Sequence, residues 1–166
     1  MIIRNENTAD TSAITEVTIE AFKNHPVSHQ TEHFIVNALR QAKVLTISLV
    51  AEVDRKVVGH IAFSPVTLSD GTTDWYGLGP ISVKPEFQRK GIGKALVSKG
   101  LSLLKQRGAK GCALVGDLNY YKQFRFKNYL QLIHEGIPQE FFLALPFTKT
   151  VPTGVVEFHK GFLATS

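Results

Sequence analysis

The sequence has few of the residues that build covalent or metal-held frameworks. Its 166 residues include one cysteine, Cys112, one methionine and one tryptophan. A lone cysteine excludes an internal disulfide framework and any multi-cysteine metal or redox motif. Its apolar strand context suits a small packed hydrophobe better than a nucleophile. No apolar run approaches the ~20 residues of a membrane span. The start, Met1-Ile2-Ile3-Arg4-Asn5-Glu6-Asn7, turns polar before a signal-peptide core can form. Repeats, low-complexity stretches and a Pro/Gly/Ser-rich linker are also missing. The expectation is one cytoplasmic domain over residues 1–166, long enough to bury roughly 70% of the unfolded chain's surface.

Acidic charge is scarce in one place. The chain carries 19 Lys+Arg against 14 Asp+Glu, a net charge of +5. Between Lys84 and Lys110, Lys84, Arg89, Lys90, Lys94, Lys99, Lys105, Arg107 and Lys110 face Glu86 alone, so the rest of the chain is slightly acidic. A local basic segment suits one anionic ligand better than a nucleic-acid coat; a solvated helix face is the plainer alternative. No helix-turn-helix or RNA-binding aromatic signature accompanies it.

The element signals alternate. Met1 to Arg4 suits a short strand, and Thr8 and Asp10 offer caps for a helix with Ile14, Val17, Ala21 and Phe22 at helical spacing. His25-Pro26 stops it, and Glu32 to Ala42 forms a second helix. Strands follow at Thr46–Val53, Val57–Val66 and Trp75–Val83, the last carrying Gly79-Pro80 and therefore a bulge or splayed edge. A helix begins near Gly91 and ends at Gly108; Cys112–Val115 is a buried strand, and Asn119 to Phe124 a short aromatic helix. Tyr129–Ile133, Glu140–Leu145 and Val155–Phe158 complete a mixed α/β (α+β) fold, a central sheet with helices on its faces. Trp75, Tyr76 and Phe141-Phe142 are expected in the core or a cleft wall.

Gln88-Arg89-Lys90-Gly91-Ile92-Gly93-Lys94-Ala95 joins a strand to an amphipathic helix inside the basic segment. Glycines there let the backbone curl round an anion and aim free N–H groups at it, with the helix dipole and flanking cations adding attraction. A tight turn with no ligand explains Gly-x-Gly equally well. The dinucleotide fingerprint fails because Leu96 stands where its third glycine is required. The nucleotide-triphosphate loop fails at Gln88 and Ala95.

The run Leu78-Gly79-Pro80-Ile81-Ser82-Val83-Lys84-Pro85-Glu86-Phe87-Gln88-Arg89-Lys90-Gly91-Ile92-Gly93 resembles the acetyl-CoA signature of the GNAT superfamily of N-acetyltransferases. Downstream, Gly116-Asp117-Leu118-Asn119-Tyr120-Tyr121-Lys122-Gln123-Phe124-Arg125-Phe126 falls where that family carries a Tyr-x-x-x-Gly-Phe element. With Ala51-Glu52 and Val58-Gly59-His60-Ile61, the pattern is similar to the YhbS-like branch of small acetyltransferases, from Ile3 to about Phe162. The resemblance implies a sheet of about seven strands, opened like a V between the fourth and fifth. It implies that Ile81, Ser82 and Val83 pair with the pantetheine arm of acetyl-CoA. Gln88, Arg89, Lys90, Gly91, Ile92, Gly93 and Lys94 would cradle the pyrophosphate, and Asn119 would contact the cofactor. Tyr121 would protonate the departing thiolate, and dimers are common among such proteins.

Arg125 departs from the pattern, standing where the family usually has glycine. Tyr121 has the chemistry of a general acid for a thiolate, and packing beside Phe124 and Phe126 is its plainer role. The base that frees the amine is open among Glu20, Asp74, His60 and a water relay. His25, His29 and His33 recur every fourth residue, but Pro26 interrupts the helix and no zinc set is completed, so no metal is expected. The function implied is transfer of an acetyl group from acetyl-CoA to a primary amine, of a small molecule, an aminoacyl compound or a protein. A CoA-binding regulatory module without turnover is the alternative.

Overall fold

A computed structural model describes residues 1–166. The strands are β1 (Ile2–Asn5), β2 (Ile47–Val53), β3 (Lys56–Leu68), β4 (Trp75–Val83), β5 (Gly111–Val115), β6 (Leu132–Ile133), β7 (Phe142–Pro146) and β8 (Gly154–Phe158). The helices are α1 (Thr11–Phe22), α2 (Glu32–Gln41), α3 (Ile92–Gln106) and α4 (Leu118–Tyr121). The main path of the sheet runs β1-β2-β3-β4-β5-β7, and β8 pairs with the far end of β3 and with the two-residue β6. Every pairing on the main path is antiparallel except β4 with β5. The fold is mixed α/β, with eight strands where the resemblance implies about seven.

Alternation in the strands sends opposite sets of side chains to the two layers. Leu49, Ile61, Phe63 and Leu78 meet Ile92, Leu96, Val97, Leu101 and Leu104 of α3 in the larger core. Fully burying a leucine such as Leu96 or Leu104 contributes roughly 2 kcal/mol. Gly100 lets α3 come close, since a Cβ there would lie 2.2 Å from the Phe63 ring. On the other face Val50 packs with Ile14 of α1 and Val36 of α2. The turn before α1 is held by a capping box, in which Asn7 accepts from the Ala9 N–H and Asp10 accepts from the Asn7 N–H. Arg4 pairs with that same Asp10 at 2.8 Å and with Glu52 at 3.2 Å. The Arg4 bonds hold the Asp10 carboxyl below its ordinary range despite its burial.

β4 matches its sequence bounds residue for residue, and the bulge expected at Gly79-Pro80 is present. The register with β3 steps from Phe63↔Leu78 to Ile61↔Ile81, so β4 carries one residue more. Past that point the sheet opens. β4 meets β5 only through Trp75↔Gly111, Tyr76↔Cys112 and Gly77↔Ala113, leaving Leu78–Val83 without a β5 partner. The closed end is tight: a Cβ on Gly111 would fall 2.3 Å from the Trp75 indole, and one on Gly77 2.6 Å from the Phe158 ring.

Candidate functional site

The open stretch of β4 leads directly into the glycine turn. Lys84 donates its N–H to the Val58 carbonyl, so by strand alternation Ile81 and Val83 turn their backbone polar groups away from β3 and into the gap. Pro85–Phe87 forms a single 3-10 turn, and the Gln88 side chain donates to the Val83 carbonyl at 2.9 Å. Arg89 (φ 61°) and Gly91 (φ 87°) then both take left-handed backbone, which curls the chain into α3. Gly91 is the N-cap of α3 and makes no side-chain cap, and the first helical bond is from the Ala95 N–H. The N–H groups of residues 89–94 therefore donate to no backbone or side-chain acceptor. Such a run at a helix N-terminus is a receptor for an anion.

These N–H groups border a cleft of about 490 Å³ between β4, the turn and α4. One wall is Ile81, Val83 and Phe87; the floor is Gln88, Arg89, Gly91, Gly93 and Lys94; the opposite wall is Tyr120, Tyr121 and Gln123. Ile81, Val83, Gln88, Arg89, Gly91, Gly93, Lys94 and Tyr121 are thus brought together. Four other expected residues sit differently. Ser82 is buried on the opposite face of β4, and Ile92 is buried against Gly59. Lys90 holds its ammonium 5.5 Å from the Phe87 ring centroid, and exposed Asn119 gives its backbone N–H to Asp117 at 2.9 Å. Lys90 and Ile92 do not line the cleft; only their unpaired N–H groups join them to the turn that does.

Tyr121 is held by aromatic packing. Its ring meets Tyr120 edge-on at 4.9 Å and Phe126 at 5.8 Å, and it lies over Gly116, where a Cβ would come within 2.7 Å of Cε2. Burial pushes the Tyr121 phenol above its ordinary value, and Tyr120 and Cys112 add to the rise. A phenol so placed keeps its proton at neutral pH and is available as a donor. Arg125 occupies left-handed backbone at φ 75°, ψ 17°, the conformation a glycine takes without strain. The turn after α4 is thus kept despite the substitution, and Phe126 stays buried at 1% exposure. Burial likewise pushes the Cys112 thiol up, leaving it no nucleophile at neutral pH.

Phe87, Tyr120 and Gln123 were not singled out from sequence as cleft walls. Their signal was only adjacency to named residues. Gly116 was missed as the clearance for Tyr121. Of the candidate bases, Asp74 precedes the closed end of β4, far along the strand from Val83, and Glu20 lies near the end of α1. His60 is fully buried and donates or accepts at Ser48 Oγ over 2.8 Å. His25 and His29 lie between α1 and α2 and His33 lies within α2, so the three share no helix. A second, larger groove of about 800 Å³ lies beyond α4, with Lys122, Arg125, Lys127 and Lys149 around Leu118 and Val151 and no carboxylate.

A model of the acetyltransferase (GNAT) family matches residues 12–126. The chain is 31% identical over 128 residues to the uncharacterized N-acetyltransferase YhbS of Escherichia coli, covering 76% of this chain and 74% of YhbS. Among solved structures it resembles a GNAT family acetyltransferase from Brucella melitensis in complex with acetyl-CoA, with 46% identity, a TM-score of 0.87 and 97% of each chain covered. It also resembles Escherichia coli YhbS in complex with CoA, with 27% identity and a TM-score of 0.90 over 99% of this chain and 93% of that one.

Proposed function

Because this chain belongs to the acetyltransferase (GNAT) family, we propose that it transfers the acetyl group of acetyl-CoA directly to a primary amine. The observation that carries the reading is the continuity of the cleft. The unpaired turn at Arg89, Gly91, Gly93 and Lys94, the open edge of β4 and Tyr121 border one volume. A relative of 46% identity binds acetyl-CoA with the same fold, and YhbS binds CoA.

In this reading the turn holds the pyrophosphate through its N–H groups, with Arg89 and Lys94 adding positive charge. Ile81 and Val83 pair their backbone with the amides of the pantetheine arm, as one strand pairs with another. The amine nitrogen attacks the thioester carbonyl carbon, the C–S bond breaks, and Tyr121 gives its proton to the departing sulfur. The nitrogen sheds its extra proton to solvent as the amide forms, and the phenol recovers one from solvent after the thiol leaves. Lys90 and Ile92 serve through their backbone, and Ser82 and Asn119 stand outside the cleft lining. The acceptor is a small amine, an aminoacyl compound or a protein amine, and we place the reaction in the cytoplasm. No helix is long and apolar enough to cross a membrane.

The test is thermal stabilisation followed by a thiol-release screen of amines. Acetyl-CoA or CoA at about a hundred times Kd should add about 2.7 kcal/mol, a rise of roughly 5–10 °C for a chain of this size. NAD and ATP should add little. Tyr121→Phe should lower kcat about 100-fold or more while acetyl-CoA affinity stays. Equal stabilisation by all four ligands, or full turnover in the variant, refutes the corresponding part. Binding of acetyl-CoA with no thiol released by any amine would favour the regulatory alternative.

A further inference from the structure

The groove beyond α4 shares no lining residue with the cleft; α4 gives Leu118 to the groove and Tyr120 and Tyr121 to the cleft. Lys122, Arg125, Lys127 and Lys149 line the groove, all four are exposed, and none is paired with a carboxylate. Most of its apolar lining is aliphatic, from Leu118, Leu145, Pro146 and Val151. A second hollow of about 430 Å³ shares Arg125, Leu145 and Pro146 with it and adds Lys105, near the end of α3. Arg125 is thus the cation at which the two hollows join. It holds that place in left-handed backbone, which glycine would adopt without strain.

Five cations gathered from four separate stretches of chain repel one another, and neither hollow supplies a carboxylate to offset them. An anionic occupant does. Its size follows from how the charges are held. An exposed cation adds little to binding by itself, and no buried polar side chain lines either hollow to fix a small anion. The occupant must meet several cations at once, which takes a chain. A nucleic-acid strand would also need open aromatic faces on which to stack its bases. The groove withholds them. Phe126 is buried, Tyr129 packs against the core around Trp75 and Phe142, and Lys105 covers the Phe147 ring at 5.3 Å. The aliphatic lining instead suits the apolar side chains of a polypeptide, which gain by leaving water.

We propose that this groove docks an extended, acidic segment of another protein. The segment's carboxylates meet Lys122, Arg125, Lys127 and Lys149, with Lys105 at the far end, and its apolar side chains settle on Leu118, Leu145 and Val151. Charge complementarity of this kind speeds encounter and selects the partner, and it weakens as salt rises. Because the cleft lies on the other side of α4 with a lining of its own, acetyl-CoA and the segment can be bound together. The inference does not depend on the transferase reading, and the docked segment need not carry the acetylated amine.

The probe is a fluorescent peptide of glutamates interspersed with leucines, about twelve residues and so about 40 Å when extended. Fluorescence anisotropy with the full chain should show saturable binding with Kd below about 1 mM, weakening as salt is raised. No saturable binding, or equal binding of the same peptide with lysine for glutamate, overturns the proposal. The double variant Lys127→Glu, Lys149→Glu should lower affinity at least about tenfold, with its melting temperature near wild type because both side chains are exposed. Arg125→Gly, which keeps the turn, should lower it about threefold. Unchanged affinity in both overturns the site. Saturating acetyl-CoA should leave the peptide bound, and displacement would make the groove part of the cleft. A single DNA strand of equal charge should bind at least about tenfold more weakly; equal binding would make the surface a general polyanion binder and overturn the polypeptide. None of these readouts needs turnover, so failure to acetylate any amine would strike the transferase reading alone.

Discussion

Acidification from pH 7 to pH 5 should weaken the fold by about 2 kcal/mol through His60 alone. His60 is fully buried, and burial is the main force pushing its pKa from the ordinary 6.5 down to about 4; Glu6 pulls it up and Arg40 pushes it further down. The unfolded chain therefore takes up a proton below pH 6.5 that the folded protein refuses until about pH 4. The stability His60 confers is complete above 6.5 and is lost as pH falls through that window. At 1.36 kcal/mol per pKa unit, integration from pH 7 to 5 gives the figure of about 2 kcal/mol. Glu6 does not blur the interval. Burial raises its carboxyl, the bonds from Arg40 and Ser48 outweigh that, and the net value falls below 4.5, so its contribution disappears only at lower pH. The assay is urea unfolding of wild type and His60→Gln at pH 7 and pH 5. The difference between the two proteins' pH slopes removes whatever the glutamine itself costs. Parallel slopes would refute both the neutral state assigned to His60 and the burial that causes it.

Gly93→Asp should lower acetyl-CoA affinity at least tenfold in calorimetry. Its carboxylate would sit among the N–H groups that receive the anion, and its Cβ would lie 3.3 Å from Tyr120 Oη. Gly116→Val should displace the Tyr121 ring and reduce kcat with little change in acetyl-CoA affinity, since the new Cβ would come within 2.7 Å of the ring. Gly100→Ala should destabilise by about 1–3 kcal/mol in urea unfolding, because Phe63 must give way. Arg125→Gly relieves about 1 kcal/mol of left-handed strain and loosens the unfolded chain by a similar amount. Its melting temperature and thiol release should stay near wild type, and a large loss of turnover would give the arginine a role beyond the turn.

Much of the architecture is legible because the signals are local. β4 is readable from β-branched and aromatic residues between a turn and a proline, and its bulge from Gly79-Pro80. The start of α3 follows from Gly91 and the apolar stripe behind it. The cleft is less legible, because its walls meet only through the fold. Sequence spacing cannot show that Tyr120 covers Gly93. The structure divides the basic segment. Arg89 and Lys94 line the cleft, Lys90 lies against Phe87, and Lys105 rests over Phe147 at 5.3 Å beside Arg125. The second basic groove draws on positions 122, 125, 127 and 149, which no window over the chain would join.

The three pairs that close β4 onto β5 also set a mechanical ratio. The joined segment is roughly 7 Å long and the arm beyond it, from Gly77 to Val83 and paired with β3 alone, roughly 20 Å, at about 3.3 Å per residue. The strand therefore acts as a lever with its fulcrum at Trp75 and Gly111. A tilt of β3 and β4 together that moves Gly77 by half an ångström would carry Val83 and the turn beyond it about four times as far. Displacements near 1 Å at reacting groups can alter rate about 100-fold. Side chains that never approach the thioester, the Trp75 indole above all, thus govern the aperture in which it would be held.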